Sequence, residues 1–166
     1  MGCITLTKGL VSLVDDEDYE RFSRFSWFAQ AAGDGFCATR RQRENGKKLA
    51  IYLHREIVNA PIGLEVDHIN GNPLDNRRSN LRLCTHAQNM ANRKQHKHSA
   101  ARFKGVRWCR DHKKWRAEIY VRGKRIHLGY FANDEDAAKA YNEAATLHFG
   151  EFARPNEVKE RKNAWT

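Results

Sequence analysis

Short runs in which apolar and polar residues alternate recur through the first 60 residues, and a spacing of two is typical of half-buried β-strands. The segment Asp15–Phe22 indicates an acidic turn of helix, and Glu44–Lys48 indicates a hairpin turn. The predicted strands are Ile4–Thr7, Leu10–Val14, Ser26–Gln30, Phe36–Arg41 and Leu49–Leu53.

From Leu64 to about Arg93 the pattern changes to a strand, a polar loop, a short strand and a helix, which together form a ββα unit. The start of the helix is clearly marked. Thr85 as N-cap and Gln88 at the third helical position form the capping box S/T-x-x-E/Q. Asn89 is therefore expected in the first turns of this helix.

The alternation returns near the C-terminus in Lys114–Arg122 and Lys124–Leu128, which Gly123 joins as a turn. A preceding strand around Lys104–Arg110 would complete a three-stranded sheet. A helix over about Asp134–His148, capped by Asn133, would pack its alanines on that sheet. The positions expected to face this core are Trp115, Ala117, Ile119, Val121, Ile126 and Leu128.

These elements predict an α+β fold in two parts. A β-rich N-terminal domain with a ββα core precedes a three-stranded antiparallel sheet packed on one helix. The segment around KQHKHSAAR is polar and basic without periodicity, which is typical of a linker. The predicted limits are a first domain at 1–93 with its core at 64–93, a linker at 94–102, a second domain at 103–156 and a tail at 157–166.

The positive charge is concentrated in one segment. Residues 94–132 carry 12 Lys and Arg against 2 Asp and Glu, which equals the whole net charge of +10. A solvated basic face usually interleaves acids, whereas here only Asp111 and Glu118 intervene. The concentration therefore favours a polyanionic partner, and we expect double-stranded DNA.

Other classes of protein are disfavoured. No apolar run approaches the roughly 20 residues that span a bilayer, and the start MGCITLTKGL lacks the regions of a signal peptide. We expect an intracellular, cytoplasmic protein that does not bind membranes, acting in a host cell if a phage encodes it. The four cysteines are widely spaced and contain no C-x-x-C pair, so no structural zinc is expected.

The ββα unit contains residue types that suit phosphodiester hydrolysis. Asp67 and Asn89 offer the hard oxygen ligands that Mg²⁺ prefers, and His68 can take a proton from an attacking water near pH 7. Neighbours on a regular strand face opposite ways, but the Asn70-Gly71 turn places Asp67 and His68 at a strand end, where their side chains can converge. Asn80 is expected to tie down the loop by bonds to backbone.

The run VDHINGNPLDNRRSNLR, followed by QNMANR, resembles the HNH (ββα-metal) nuclease family, in particular its phage and intron homing-endonuclease branch. The resemblance implies one divalent metal ion, held by Asp67 and Asn89, with His68 as general base and Asn80 as a structural residue. The third letter of the motif is Asn rather than His, a variant that the family uses. The upstream LHREIV resembles the family's lead-in, so His54 and Arg55 are candidates to face DNA or phosphate, with a structural His54 as the alternative.

The C-terminal sheet displays basic residues on its polar face, where arginine can bind guanine edges and phosphates. From FKGVRW through KWRAEI, LGYF, DAAKAYNEAA and HFGEFARPN, this region resembles the plant ethylene-response-factor (APETALA-type) DNA-binding domain. In that family the sheet lies in the major groove, although Tyr120 and His127 here replace the usual Arg and Trp. The expected DNA contacts are Lys104, Arg107, Arg110, Lys114, Arg116, Glu118, Tyr120, Arg122, Arg125 and His127.

Together these features predict a homing-type endonuclease, expected to be a monomer, with a separate DNA-binding module. Two alternatives stay open. In a non-cutting DNA-binding regulator, the ββα unit would be a relic, and in a sequence-indifferent nuclease the basic module would only raise affinity. Taken singly, an Asp-His pair beside Asn-Gly or a lone Asn is more often part of a turn or a cap. The joint pattern of Asp67, His68 and Asn89 favours the nuclease.

Overall fold

The computed structural model describes residues 1–33, 35–95 and 101–158. The chain divides into two compact units, Met1–Asn89 and Met90–Thr166. Several small antiparallel sheets and a few helices make up the structure, which confirms the α+β class. Most of the predicted linker and tail, residues 96–100 and 159–166, lies outside the described residues. Of the described helices, none is both long and apolar enough to cross a membrane.

The N-terminal unit contains three separate antiparallel sheets. The first is a two-stranded ribbon, the second a three-stranded meander and the third a hairpin. The elements in chain order are β1 (Gly2–Thr5), β2 (Val11–Val14), α1 (Asp16–Phe22), β3 (Phe28–Ala32), β4 (Gly35–Glu44), β5 (Lys47–Tyr52), α2 (Leu53–Ile57), β6 (Glu65–His68), β7 (Leu81–Cys84) and α3 (His86–Asn92). The last three residues of α3 belong to the second unit.

One apolar core joins these sheets and short helices. Phe22 at the end of α1 and Val14 at the end of β2 are almost fully buried, as are Leu53 and Ile57, which lie four positions apart on one face of α2. The sequence pattern predicted the strands but missed α2. A five-residue helix is too short for helical spacing to stand out, and its first residue had been included in the preceding strand.

The turn between β4 and β5 forms where it was predicted. Asn45 and Gly46 both have positive φ, 49° and 76°, which is the backbone of a two-residue hairpin turn whose twist matches the flanking strands. The first turn of α1 is fixed to a distant loop, because the Arg78 guanidinium donates to both carboxylate oxygens of Asp18 at 2.9 and 2.8 Å. Asp18 is 1% exposed, whereas the Arg78 side chain is 43% exposed, so the ion pair joins a buried carboxylate to the surface.

The C-terminal unit is a three-stranded antiparallel sheet in the order β8 (Val106–Cys109), β9 (Lys114–Val121), β10 (Lys124–Phe131), followed by α4 (Asp134–Phe149). Asn133 caps α4 as predicted, since its side chain accepts from the Asp136 N–H at 2.8 Å. The buried alanines of α4 and Tyr141 pack against Ala117 and Ile119 of β9. The small alanine side chains allow the helix to lie close to the sheet.

Three details differ from the sequence-based expectation. The first strand covers Val106–Cys109 only, so Lys104 and Arg110 lie outside it. The last strand does not stop at Leu128. A bulge between His127 and Gly129 shifts the register and carries β10 on to Phe131. Ile126 pairs with Ile119 on the expected face but is 36% exposed, because it lies near the hairpin turn and outside both apolar clusters.

Gly105, which has φ +76°, has the closest neighbours of the described glycines in this unit. A Cβ atom there would collide with the Tyr141 ring and lie 2.7 Å from the Glu118 carbonyl oxygen. Gly123 has nearly the same φ, +78°, but a Cβ would meet nothing within 4 Å. The two glycines therefore separate backbone strain from overpacking.

We expect Gly105→Ala to destabilise the C-terminal unit by about 3 kcal/mol, since backbone strain and overpacking add. Gly123→Ala is the matched control and should cost only the strain, about 1 kcal/mol. Hydrogen exchange of the β9 amides measures both losses. Equal losses in the two variants would show that α4 does not press on Gly105.

Candidate active site and DNA-binding face

Asp67 and His68 are the last two residues of β6. The β6–β7 hairpin pairs Asp67 with Arg82 and His68 with Leu81, the first residue of β7, so the ladder stops at His68. The turn at Gly71, with φ 71°, follows directly, and the Gly71 N–H donates to the His68 carbonyl at 2.7 Å. The pair thus lies at a strand end, where the chain leaves the regular pleat.

Asp67 forms a buried ion pair with the residue opposite it. The Arg82 Nε and Nη2 atoms lie 2.8 and 2.7 Å from Asp67 Oδ2, and the two side chains are 13% and 5% exposed. A carboxylate so far from water requires a nearby positive charge. Arg82 supplies it, and the sequence analysis did not identify this residue.

His68 has a different set of partners. Its Nε2 atom lies 3.0 Å from Asn76 Oδ1, and its ring meets the His54 ring edge-on with centroids 5.3 Å apart. Burial lowers the pKa of His68, although the Asn76 hydrogen bond and the Asp67 and Asp75 charges oppose this shift. A ring with a lowered pKa is neutral near pH 7, which is the form that can accept a proton.

The lead-in residues His54 and Arg55 make contacts inside the unit. Burial, followed by the charges of His68 and Arg55, lowers the pKa of His54 to about 3, and its ring stacks on Tyr52. A neutral imidazole offers no charge to phosphate. The Arg55 guanidinium donates to the carbonyl oxygens of Leu64, Pro61 and Ala60 at 2.7, 3.0 and 3.3 Å. These contacts favour structural roles for both residues.

Asn80 holds the loop between β6 and β7. Its Oδ1 accepts from the Asn70 N–H at 3.0 Å, while its Nδ2 donates to the Asp75 carbonyl at 2.8 Å and to Asn70 Oδ1 at 3.1 Å. Asn80 is 8% exposed, so these bonds replace water for a buried amide. Its recorded bonds are those of a residue that anchors the loop.

Asn89 lies on the first turn of α3, which begins as predicted. Thr85 N–H donates to Gln88 Oε1 at 2.8 Å and Gln88 N–H donates to Thr85 Oγ1 at 3.4 Å, which confirms the capping box. Asn89 Nδ2 in turn donates to Glu65 Oε2 on β6 at 2.6 Å. This hydrogen bond holds the pKa of Glu65 below its usual range and fixes Asn89 to the strand that carries Asp67.

Cys84 lies among these groups. The thiol is 2% exposed. Burial and the nearby Asp67 and Glu65 charges raise the pKa of Cys84 to about 11, so it stays a thiol. Cys84 pairs with Glu65 across the β6–β7 ladder, so this buried thiol lies beside the strand that carries Asp67. Among the described residues, no three His, Cys, Asp or Glu side chains are grouped as a ready-made metal site.

The polar face of the C-terminal sheet is organised by Glu118. Its carboxylate lies 2.6 Å from Arg116 Nη2, 3.3 Å from Arg107 Nη2 and 3.7 Å from Arg125 Nε, so one acid on β9 holds an arginine from each strand. Tyr120, 64% exposed, shares this face. The other predicted contacts on or beside the strands are exposed, namely Lys114, Arg122, His127 and Arg110.

Lys104 is directed elsewhere. Its ammonium donates to the carbonyl oxygens of Ala91, Arg93 and Met90 at 2.6, 3.0 and 3.4 Å, which closes the end of α3. Burial, with the Arg154 and Arg93 charges, lowers the pKa of Lys104 to about 8. These bonds engage all three of its N–H groups, and Lys104 does not belong to the sheet face around Glu118.

Two family models match separate segments of the chain. A family model described as HNH endonuclease matches residues 59–91, and one described as AP2 domain matches residues 101–147. The chain is 30% identical over 154 residues to an uncharacterized HNH endonuclease of Acanthamoeba polyphaga mimivirus, covering 91% of this chain and 77% of that protein. The chain belongs to the HNH endonuclease family.

A second relative of this HNH chain is Protein 3.8 of Escherichia phage T7. It is 36% identical over 101 residues, which is 60% of this chain and 83% of that protein. No solved structure matches the chain. Both resemblances seen in the sequence are thereby confirmed, the HNH one in the ββα segment and the AP2 one in the basic sheet.

The residues around Asp67 that the sequence analysis missed are Arg82, Asn76 and Glu65. Arg82 is recognisable only once the register of β6 and β7 is known, because it lies directly opposite Asp67. Glu65 requires the strand and the helix start to be placed together. Asn76 follows an Asp in the polar loop, where an Asn usually indicates a turn rather than a partner for histidine.

We expect Arg82→Met to destabilise the N-terminal unit by about 3 kcal/mol, because it leaves the buried Asp67 carboxylate without its cation. Arg43→Met, which changes an exposed arginine of β4 in the same unit, should stay within about 0.5 kcal/mol of the parent. Urea unfolding followed by the β6 and β7 amide signals gives both values. Equal effects would contradict a buried pair.

Proposed function

We propose that this protein is a metal-dependent DNA endonuclease of the homing type, which hydrolyses phosphodiester bonds. One observation carries the proposal. Asp67 and His68 end strand β6, and Glu65 of that strand holds Asn89 on α3 at 2.6 Å, within the segment that matches the HNH endonuclease model. Hairpin β6–β7 and α3 would then be the ββα-metal unit.

The oxygen atoms near β6 fit a hard divalent cation, and we assign Asp67 and Asn89 as its protein ligands, with one Mg²⁺ ion. Asn89 uses its amide nitrogen on Glu65, which leaves the amide oxygen as its ligand atom. Asp67 is a buried carboxylate already balanced by a cation. When bound, the ion would stabilise the charge that develops on the phosphate and the leaving oxygen.

His68 serves as the general base in this proposal. Burial lowers its pKa, so the ring is neutral near pH 7 and can take the proton of the attacking water. Asn80 acts indirectly, since its hydrogen bonds to Asn70 and Asp75 hold the loop that follows His68. Arg82 keeps the Asp67 carboxylate in place in the absence of substrate.

The basic sheet would bring double-stranded DNA to the enzyme. Arg107, Arg116 and Arg125 are spread over three strands and held on one face by Glu118, an arrangement suited to a DNA groove. The match to an AP2 domain supports this role. We propose a nuclease domain at 1–93 and a DNA-binding domain at 103–156, joined by the basic linker in a monomer.

His68→Ala should reduce Mg²⁺-dependent DNA cleavage by about 100-fold or more while DNA binding persists, because the proton acceptor is lost. Asp67→Ala should do the same by removing a ligand, and EDTA should abolish parent activity. His148→Ala, which removes an exposed imidazole of α4, is the matched control and should cut normally. Gel mapping of cut ends and anisotropy measure cleavage and binding separately.

These variants also separate the proposal from its rival. A parent protein that binds DNA tightly but cuts none in Mg²⁺ would be a DNA-binding regulator. Full cleavage by His68→Ala would exclude the proposed base, and full cleavage by Asp67→Ala would exclude the proposed ligand. If His148→Ala also failed to cut DNA, the loss of cleavage in His68→Ala would not be specific to His68 and would not support its role as the base.

The double variant Arg107→Gln, Arg125→Gln should weaken DNA binding and lower the slope of log K against log salt by about 2, if each guanidinium contacts one phosphate. Lys139→Gln removes an exposed cation from α4 and should change neither. Anisotropy titrations over a range of salt concentrations provide the slopes. An unchanged slope in the double variant would remove the sheet face from the DNA interface.

A further inference from the structure

A hydrogen-bond chain runs from His68 through Asn76 and Ser12 to the backbone of the neighbouring loop. His68 Nε2 lies 3.0 Å from Asn76 Oδ1, Asn76 Nδ2 donates to Ser12 Oγ at 2.6 Å, and Ser12 Oγ donates to the Leu74 carbonyl at 3.2 Å. Ser12 and Asn76 are both 0% exposed. Water therefore cannot exchange with these bonds without opening the unit.

The direction of donation along this hydrogen-bond chain is fixed at the Leu74 carbonyl. The Leu74 carbonyl can only accept, so the one hydroxyl proton of Ser12 is used on it. The Ser12 oxygen must then accept from Asn76, which turns the amide nitrogen toward Ser12 and the amide oxygen toward His68. An amide oxygen can only accept, so the proton between Asn76 and His68 belongs to His68 Nε2.

We infer that Ser12 and Asn76 are positioning residues that hold neutral His68 as its Nε2–H tautomer and thereby make Nδ1 the proton-accepting nitrogen. This inference rests on the proposed role of His68 as the base. A neutral imidazole carries one N–H, and the hydrogen bond at one nitrogen decides which nitrogen keeps the lone pair. When the water proton reaches Nδ1, the Nε2–H bond to Asn76 remains and orients the imidazolium.

Two backbone hydrogen bonds hold this hydrogen-bond chain in place. The Leu13 N–H donates to the Leu74 carbonyl and the Asn76 N–H donates to the Leu13 carbonyl, each at 2.8 Å. These two bonds attach the loop to β2, the strand that carries Ser12. The His54 ring, edge-on to His68, limits rotation of the imidazole from another side. Asn76 therefore cannot follow a rotating ring.

Long-range ¹H–¹⁵N NMR of the full chain measures the His68 tautomer directly. The His68 signal is assigned from its loss in His68→Ala. The parent protein should show Nε2 protonated and Nδ1 unprotonated near pH 8. A Nδ1–H ring, or a mixture, would overturn the inference. The NMR measurement does not depend on cleavage. A parent protein that cuts no DNA would therefore refute the proposed function, while the tautomer of His68 would still be decided by the NMR result.

Three variants test whether the tautomer matters. Asn76→Leu should give a mixed tautomer and lower the cleavage rate at saturating DNA by about 10- to 100-fold, with the DNA Kd unchanged. Asn76→Asp keeps an acceptor toward Nε2–H and should recover this tautomer in the neutral ring but not the rate, because the added carboxylate stabilises the imidazolium. Ser12→Ala, which frees the amide to turn over, should also mix the tautomers and provides the test if Asn76→Leu fails to fold.

Thr39→Val is the matched control, because it removes a fully buried hydroxyl of the same unit that does not belong to the hydrogen-bond chain. It should change neither the tautomer nor the rate per folded molecule. A similar fall in rate for Thr39→Val would assign the effect to general loss of buried polar groups. A mixed tautomer of the neutral ring in Asn76→Asp would likewise count against positioning.

Discussion

The ββα segment depends on buried side-chain amides that bond to backbone. Between β6 and β7 the chain passes through a loop of polar residues that has little apolar surface to bury, so packing alone cannot fix its path. Asn80 bonds to residues 70 and 75, and Asn76 bonds to Ser12 and His68, so the oxygen and the nitrogen of both amides have partners inside the protein. Because the loop begins where β6 ends, these amides also determine where His68 lies.

The two units handle charge in different ways. Around β6 each acid has a local partner, since Asp67 pairs with Arg82, Asp75 with Arg77, and Glu65 with Asn89 and His86. In the sheet of the C-terminal unit one acid, Glu118, serves three arginines, so that face keeps an excess of positive charge. Local neutrality suits a site that must hold its groups in fixed positions. Excess charge suits a surface that attracts a polyanion and releases its counterions.

Local patterns in the sequence predicted the features that depend on near neighbours. These include the capping box at Thr85, the hairpin turn at Gly123, the alternation of β9 and the strand-end position of Asp67 and His68. Features that depend on distant residues were missed. The role of Arg82 can be recognised only from the register of β6 and β7. The hydrogen-bond chain through Ser12 joins residues far apart in sequence, and the bulge in β10 is a feature of its pairing with β9. Lys104 has the composition of a DNA contact, but its position before β8 directs it to the end of α3.

The arrangement around β6 also solves a conflict between neighbours. In the proposed chemistry the Asp67 carboxylate must be ionised to bind the metal ion and the His68 ring must be neutral to act as the base, although the two residues are adjacent and Asp67 is buried. The partners differ accordingly, since Asp67 is given a guanidinium and His68 an uncharged amide oxygen. A carboxylate in the place of Asn76 would stabilise the imidazolium, and an amide in the place of Arg82 would leave a buried anion without a counter-charge. The chemistry proposed for the pair thus depends as much on the residues opposite each side chain as on Asp67 and His68 themselves.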